Sequence, residues 1–169
     1  MNSSMSYLPR LFCLVLICLL PASLQADEWR TEKISVTDLK FMSDLRERID
    51  DLSRRNFGRQ LNGNRANDIA VMQRLLDEQV VTSDQVPNLQ AMGVVLGELL
   101  KEEQGLSWVV YIDKYGRSRA LQVPGFEKEF IFPVTQVSRK AEVGIKVNIS
   151  EVYADLEKAV ADIRKLPPF

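Results

Sequence analysis

Histidine is missing from all 169 residues of this chain, and its two cysteines, Cys13 and Cys18, both fall within the first 26. Each absence removes a chemistry. Without His there is no imidazole to take a proton from a serine or cysteine nucleophile, so Ser-His-Asp and Cys-His mechanisms are excluded. Zinc held in the usual way by Cys and His is excluded on the same ground. Calcium would need clustered oxygens of the D-x-D-x-D-G kind. The nearest stretch, "ERIDDLSRRN" at 47–56, interleaves its acids with arginines, the pattern of a solvated helix face with four-residue ion pairs. No cofactor is called for. An excess of positive charge is lacking too: 22 Lys and Arg face 23 Asp and Glu. A nucleic-acid binder would show a strongly basic face, so that class is set aside.

Long hydrophobic runs are equally scarce, and the one present is short. Arg10 precedes ten unbroken apolar residues, Leu11 to Leu20, and then Pro21 and small or polar residues lead to Ala26. This is the order of a secretory signal. Ten residues of helix reach about 15 Å, half of a ~30 Å hydrocarbon core, so a transmembrane span is not expected. Cleavage is placed after Ala26; Ala22 and Ser23 stay open as exits, because Leu24 fits an A-x-A site poorly. A lipoprotein anchored through Cys18 is the rival reading, opposed by Ile17, where a small residue normally precedes the lipidated cysteine. The expectation is an exported protein, periplasmic or secreted. Its mature chain would carry 21 Lys and Arg against 23 acids, a net charge of −2, and no cysteine. In an oxidising compartment it would hold together by packing alone, and a chain of this size buries roughly two-thirds of its unfolded surface.

Periodicity divides the remainder. Val36, Leu39, Met42, Leu45, Ile49 and Leu52 recur at helical spacing, with Ser35 or Thr37 as cap and Gly58 as stop. A second helix is expected from about Asn67, with Ile69, Met72, Leu75, Leu76 and Val80 inward. A third follows Ser83 or Asp84, carries Pro87 in its first turn and ends before Gly105. Its Gly93 and Gly97 lie four apart, a spacing that lets another element approach closely; Glu98, Glu102 and Glu103 on the same helix rule out a membrane span. "WVVYI" reads as a strand covered on both faces. A three-residue loop, Lys114 to Gly116, then pairs Asp113 with Arg117, Ile112 with Ser118, Tyr111 with Arg119, Val110 with Ala120 and Trp108 with Gln122. "EFIFP" is a third strand ended by Pro133. "VTQVSRKAEVG" fits helix or strand, and a short helix ended by Gly144 is preferred. Ser150 would cap a last helix with Val152, Leu156, Ala159, Val160 and Ile163 inward.

The fold expected is therefore α+β: N-terminal helices, a small antiparallel three-stranded sheet built on a hairpin, and a C-terminal helix packed on the sheet. Residues 1–26 would be the signal, 27–84 a helical segment, and 85–169 an α+β domain forming one unit with those helices. From Gly97-Glu98 through "WVVYIDKYGRSRAL", "FIFP" and "SRKAEVG" the order of residues resembles a bacterial family known as domain of unknown function 3806. Trp108, Asp113, Gly116, Arg117, Pro133, Arg139 and Lys140 carry the likeness, over about residues 85–165. It implies no activity.

Four chemistries or contacts stay on paper. Glu98 and Glu102, one helical turn apart, offer the paired carboxylates of a glycan or peptidoglycan hydrolase. Ser138 and Lys140 could form a Ser-Lys dyad, although no oxyanion loop accompanies them. Tyr111, Asp113, Arg117 and Arg119 share one face of the expected hairpin and form a candidate rim site, against which stands a plain cross-strand ion pair. Arg54, Arg55, Arg59 and Arg65 occur with no acid between Leu52 and Asn67. They are the candidate contact for an anionic envelope component or another protein, against which stands the ordinary affinity of cations for a helix C-terminus. Asn148-Ile149-Ser150 matches a glycosylation pattern, but Ser150 is better used as a cap. The reading that results is a non-catalytic binding or accessory module, with no catalytic residue, metal or cofactor assigned. A carboxylate-dependent hydrolase is its alternative.

Overall fold

The first element is one that apolar patterning leaves invisible. In the computed structural model, which describes residues 29–167, the four exposed residues Arg30–Lys33 form a strand, β1. It pairs antiparallel with the hairpin through backbone bonds alone and needs no inward side chain to do so. Among the described residues the sheet therefore has four strands where three were expected. The expected signal segment and both cysteines lie outside the described residues.

Ser35 then starts α1 (Val36–Phe57) with a capping box: its Oγ accepts the Asp38 N–H at 3.1 Å, and Asp38 Oδ2 accepts the Ser35 N–H at 3.3 Å. Gly58 ends the helix in the left-handed region. Helix α2 (Arg65–Asp77) starts slightly before the expected position, because the Asn64 side chain accepts the Asn67 N–H. Helix α3 (Val86–Gln104) has no side-chain cap; Pro87 in its first turn and left-handed Gly105 at its end set its limits. Strands β2 (Ser107–Asp113), β3 (Gly116–Gln122) and β4 (Phe130–Ile131) follow. Next come a 3-10 turn (Pro133–Thr135), α4 (Gln136–Glu142) and α5 (Ile149–Ile163). The ambiguous 134–143 stretch is thus helical. The cap of α5 is Asn148, not Ser150: the Asn148 Oδ1 accepts the N–H groups of Ser150 and Glu151.

All strands are antiparallel in the order β1-β2-β3-β4. Helix α3 runs through the centre, with Leu89, Met92, Leu96 and Leu100 fully buried, and residues from α1, α2, α4, α5 and the sheet close on it as one core. Its two glycines are the contact points. A Cβ on Gly93 would lie 2.3 Å from the Val134 carbonyl oxygen, and one on Gly97 2.6 Å from the Trp108 ring. The four-residue glycine spacing is therefore a seat for the Pro133–Thr135 turn and for Trp108. That tryptophan, 6% exposed, is a core anchor whose Nε1–H is donated to Glu98 at 2.7 Å.

The hairpin is one residue tighter than expected. Asp113 lies opposite Gly116, Ile112 opposite Arg117, Tyr111 opposite Ser118 and Val110 opposite Arg119. Asp113 Oδ1 accepts the Tyr115 N–H at 2.8 Å and closes the chain around a two-residue loop. A one-residue slip moves every side chain to the other face. Arg117 and Arg119 consequently point to the helix side with Val110 and Ile112, while Tyr111 and Asp113 point to the outer side. The four residues expected on one face occupy two.

Gly116 itself has φ 124° with open space where a Cβ would stand, so only backbone strain opposes substitution there. Gly116→Val is expected to lower stability by about 1–2 kcal/mol, and Lys114→Ala to change it by less than about 0.5 kcal/mol, as read by thermal unfolding. Equal effects from the two would contradict this turn.

Candidate functional site

Asp38, in the first turn of α1, is 2% exposed. Its Oδ1 and Oδ2 each accept a guanidinium N–H from Arg117 at 2.7 Å, and Oδ1 accepts another from Arg119 at 2.9 Å. Ser35 donates its hydroxyl to Oδ2 at 2.6 Å. Arg117's hydrogen bonds hold the Asp38 carboxyl well below the usual carboxylate range, against the opposing pull of burial, and the Ser35 bonds add to the effect. The capping residue of one helix thus doubles as the anchor of a strand. Arg119 also lies 4.2 Å from the centre of the Phe41 ring, so its guanidinium is sandwiched between an aromatic face and a carboxylate.

Beside this anchor runs a groove of about 640 Å3, a volume typical of ligand sites. Its origin is local. Proline cannot donate to a ladder, and Pro133 ends the fourth strand after two residues. Only Leu121 and Gln122 of β3 gain a β4 partner; among the described residues the edge from Gly116 to Arg119 has no strand beside it. The chain then turns across Gly93, and Phe132, Thr135, Gln136 and Arg139 form the far wall. Phe41, Leu45 and Gln90 close the helix side; Tyr111, Asp113, Tyr115, Arg117, Ser118 and Arg119 form the hairpin side. Three guanidinium groups, Arg117, Arg119 and Arg139, meet two carboxylates, Asp38 and Asp113, which leaves one positive charge in excess. Arg139 makes no ion pair among the described residues. On the outer side Tyr111 packs with Phe132 at 5.3 Å, Phe130 at 5.1 Å and Trp29 at 5.8 Å between ring centres.

All four rim candidates, Tyr111, Asp113, Arg117 and Arg119, line this one groove, reached from its two sides across the strand edge. Arg139 is legible in the sequence only through the family resemblance. Phe41, Phe132, Thr135 and Gln136 carried no signal, because they come from segments far apart in the chain.

The second arginine set is placed differently. Arg54 pairs with Glu47 and Asp50, and Arg55 with Asp51, all within α1. Arg65 lies over the Tyr153 ring at 4.4 Å and makes paired bonds to Glu157, with Glu103 at 3.3 Å. The buried Tyr153 donates its hydroxyl to Glu103 at 2.9 Å, and burial raises its pKa. Arg59 is the member of the set with no ion pair among the described residues. The acids sit one or two turns upstream or on other helices, outside the window that made the stretch look unopposed.

Glu98 and Glu102 line a separate groove of about 370 Å3 between α1 and α3, floored by Leu39, Met42, Val95 and Leu99. Lys101 lies 3.8 Å from Glu98 and bonds Glu102 at 2.5 Å. The two carboxylates share one helix face and a common cation, and do not face each other across a cleft. Ser138 and Lys140 are not brought together: Ser138 is buried and donates to the Thr135 carbonyl, while Lys140 bonds Asp155.

A sequence profile described as "Domain of unknown function (DUF3806)" matches residues 68–153, from α2 into α5. No curated protein matches the chain significantly. Among solved structures, the chain is similar in fold to a protein from Bacteroides thetaiotaomicron VPI-5482 whose crystal structure was determined at 1.50 Å. The TM-score is 0.68 at 18% identity, over 75% of this chain and 46% of that one. The chain thus spans less than half the length of that protein.

Proposed function

Since the chain belongs to the family of domain of unknown function DUF3806, whose description names no chemistry, the site itself must supply the reading, and we propose a non-catalytic binding module. It holds a partner bearing carboxylate or phosphate groups in the groove beside β3. The observation that carries this is the convergence of Arg117, Arg119 and Arg139, the last with no ion pair among the described residues, on one groove with a net positive charge. Arginine suits planar anions through paired donors, and the aromatic walls give a ligand apolar surface beside them. The Arg54, Arg55, Arg59 and Arg65 set fits the role less well, because Arg54, Arg55 and Arg65 each have carboxylates of their own, whereas Arg117 and Arg119 share Asp38 and Arg139 has no ion pair among the described residues.

Binding of a polyuronate glycan should therefore weaken with rising salt. Arg139→Gln should weaken it about fivefold further at low salt, the loss of one partly exposed charge-assisted contact, while Arg59→Gln should leave it unchanged. Equal binding by Arg139→Gln and the parent protein at every salt concentration would remove the groove from consideration.

Export belongs to the same proposal and rests on Arg10, Leu11–Leu20 and Ala26. The expected result is a form starting at Asp27 in the soluble fraction of the envelope, measured by intact mass. A full-length mass, or a lipid adduct on Cys18, would contradict it.

A further inference from the structure

We infer that the ligand of this groove is an extended acidic peptide, added to the sheet as a strand along the β3 edge at Arg117 and Arg119, which has no strand partner among the described residues. The inference rests on the groove reading above and goes beyond it by fixing both the class of ligand and its mode of attachment.

The argument starts from the hairpin. Asp113 and Gly116 are the closing pair of a two-residue loop, and such a pair exchanges both of its backbone hydrogen bonds. Bonded and non-bonded pairs alternate along an antiparallel ladder, so Tyr111–Ser118 and Val109–Ala120 are bonded pairs as well. Arg117 and Arg119 then turn their N–H and C=O groups away from β2. At Leu121, two residues further on, the same outward direction is used to bond β4. At Arg117 and Arg119 no strand takes it, and no turn or loop bond among the described residues reaches these groups. Unpaired outward groups on a strand edge are a template for another chain.

The side chains say what kind of chain. A strand laid beside β3 alternates its side chains between the two faces of the sheet. Those on the helix side meet the guanidinium groups of Arg117 and Arg119, which share a single carboxylate. Those on the outer side meet the ring of Phe132 and the hydroxyl of Ser118. Arg139 stands on the far wall with no ion pair among the described residues. The complementary ligand alternates acidic with apolar or small residues, with the acids on the helix side. Basic peptides are excluded by the same charges, and a non-peptide anion gains nothing from the backbone edge.

The test uses the whole protein and a short peptide alternating aspartate with valine, alongside the same peptide N-methylated at every second residue. Expected are binding of the plain peptide, at least a tenfold loss on N-methylation, and new protection of the Arg117 and Arg119 amides from hydrogen exchange in the complex. Arg139→Gln should weaken the plain peptide. Equal binding of plain and methylated peptides, or Arg117 and Arg119 amides that exchange as before, would overturn strand addition. If either occurred while polyuronate binding still depended on Arg139, the groove reading would survive and only this inference would fall. Concentration-dependent protection of those two amides without any peptide would overturn it as well, since the edge would then belong to a second copy of this chain.

Discussion

Gly93→Ala is expected to destabilise the protein by about 3 kcal/mol, the upper part of the usual range for overpacking. Two effects oppose each other at this position. Alanine is the better helix former, by about 1 kcal/mol in a helix interior. Against that, its Cβ would fall 2.3 Å from the Val134 oxygen, 2.6 Å from the Pro133 oxygen and 2.7 Å from the Val134 carbon. All three are backbone atoms, and no rotamer change removes them. The turn would have to lift off α3, taking with it the far wall of the groove. Steric overlap therefore outweighs propensity. In a chain of this size the loss corresponds to a fall in melting temperature of about 6–12 °C. Gly105→Ala is the control: it places a side chain at φ 65° with no atom nearby and should cost only about 1 kcal/mol. A Gly93→Ala protein as stable as its parent would mean that the turn does not sit on α3. Because Arg139 follows that turn, the same substitution should also weaken ligand binding.

The second large effect belongs to Asp38. Asp38→Asn keeps the size of the side chain but removes the carboxylate that Arg117 and Arg119 share. Breaking a buried pair costs about 3–5 kcal/mol. Here the arginine side chains are 44% and 24% exposed and water can reach them, so about 2–3 kcal/mol is expected after screening. A dependence on pH should accompany it. In the folded protein the Asp38 carboxyl titrates below its ordinary value of 3.8. The unfolded chain therefore takes up this proton first as the pH falls. The stability contributed by the pair is complete above the ordinary carboxylate range and is lost as the pH drops from about 4 towards the lower folded value. Urea unfolding at pH 7 and at a series of lower pH values measures both effects. The parent should lose stability on acidification more steeply than Asp38→Asn, and the two should converge in acid. Curves that run parallel from pH 7 to acid would show that Asp38 is not the titrating anchor.

Much of the fold was legible because local chemistry and tertiary need agree. Ser35, Gly58, Pro87, Gly105 and Gly144 all stop or start elements as their own conformational preferences dictate. The Gly93/Gly97 spacing announced a close approach without saying what approaches. The elements that differ from their sequence patterns are those whose cause is not in their own side chains. Strand β1 is made by backbone pairing, so its polar residues show no period. The hairpin register turned on whether Asp113 would spend its carboxylate on the Tyr115 N–H or on an arginine across the ladder, and both are ordinary uses of an aspartate. The cap of α5 was a choice between Asn148 and Ser150, two good capping residues two positions apart.

The sequence by itself determined which chemistries are closed to this protein, since a chain without histidine has no imidazole however it folds, and it determined the helices, whose 3.6-residue period is written in neighbouring residues. Only the tertiary structure decided which arginines are available. Arg54, Arg55 and Arg65 look unopposed within a short window and are bound to acids from other turns and other helices, while Arg139, beside Lys140 in the sequence, lines the groove with no ion pair among the described residues. The physical reason is one of range. Hydrophobic period and backbone conformation are set by residues within a turn or two, whereas a charge is balanced by whatever the fold brings within a few ångströms, and for Arg117 that partner is Asp38, 79 positions away.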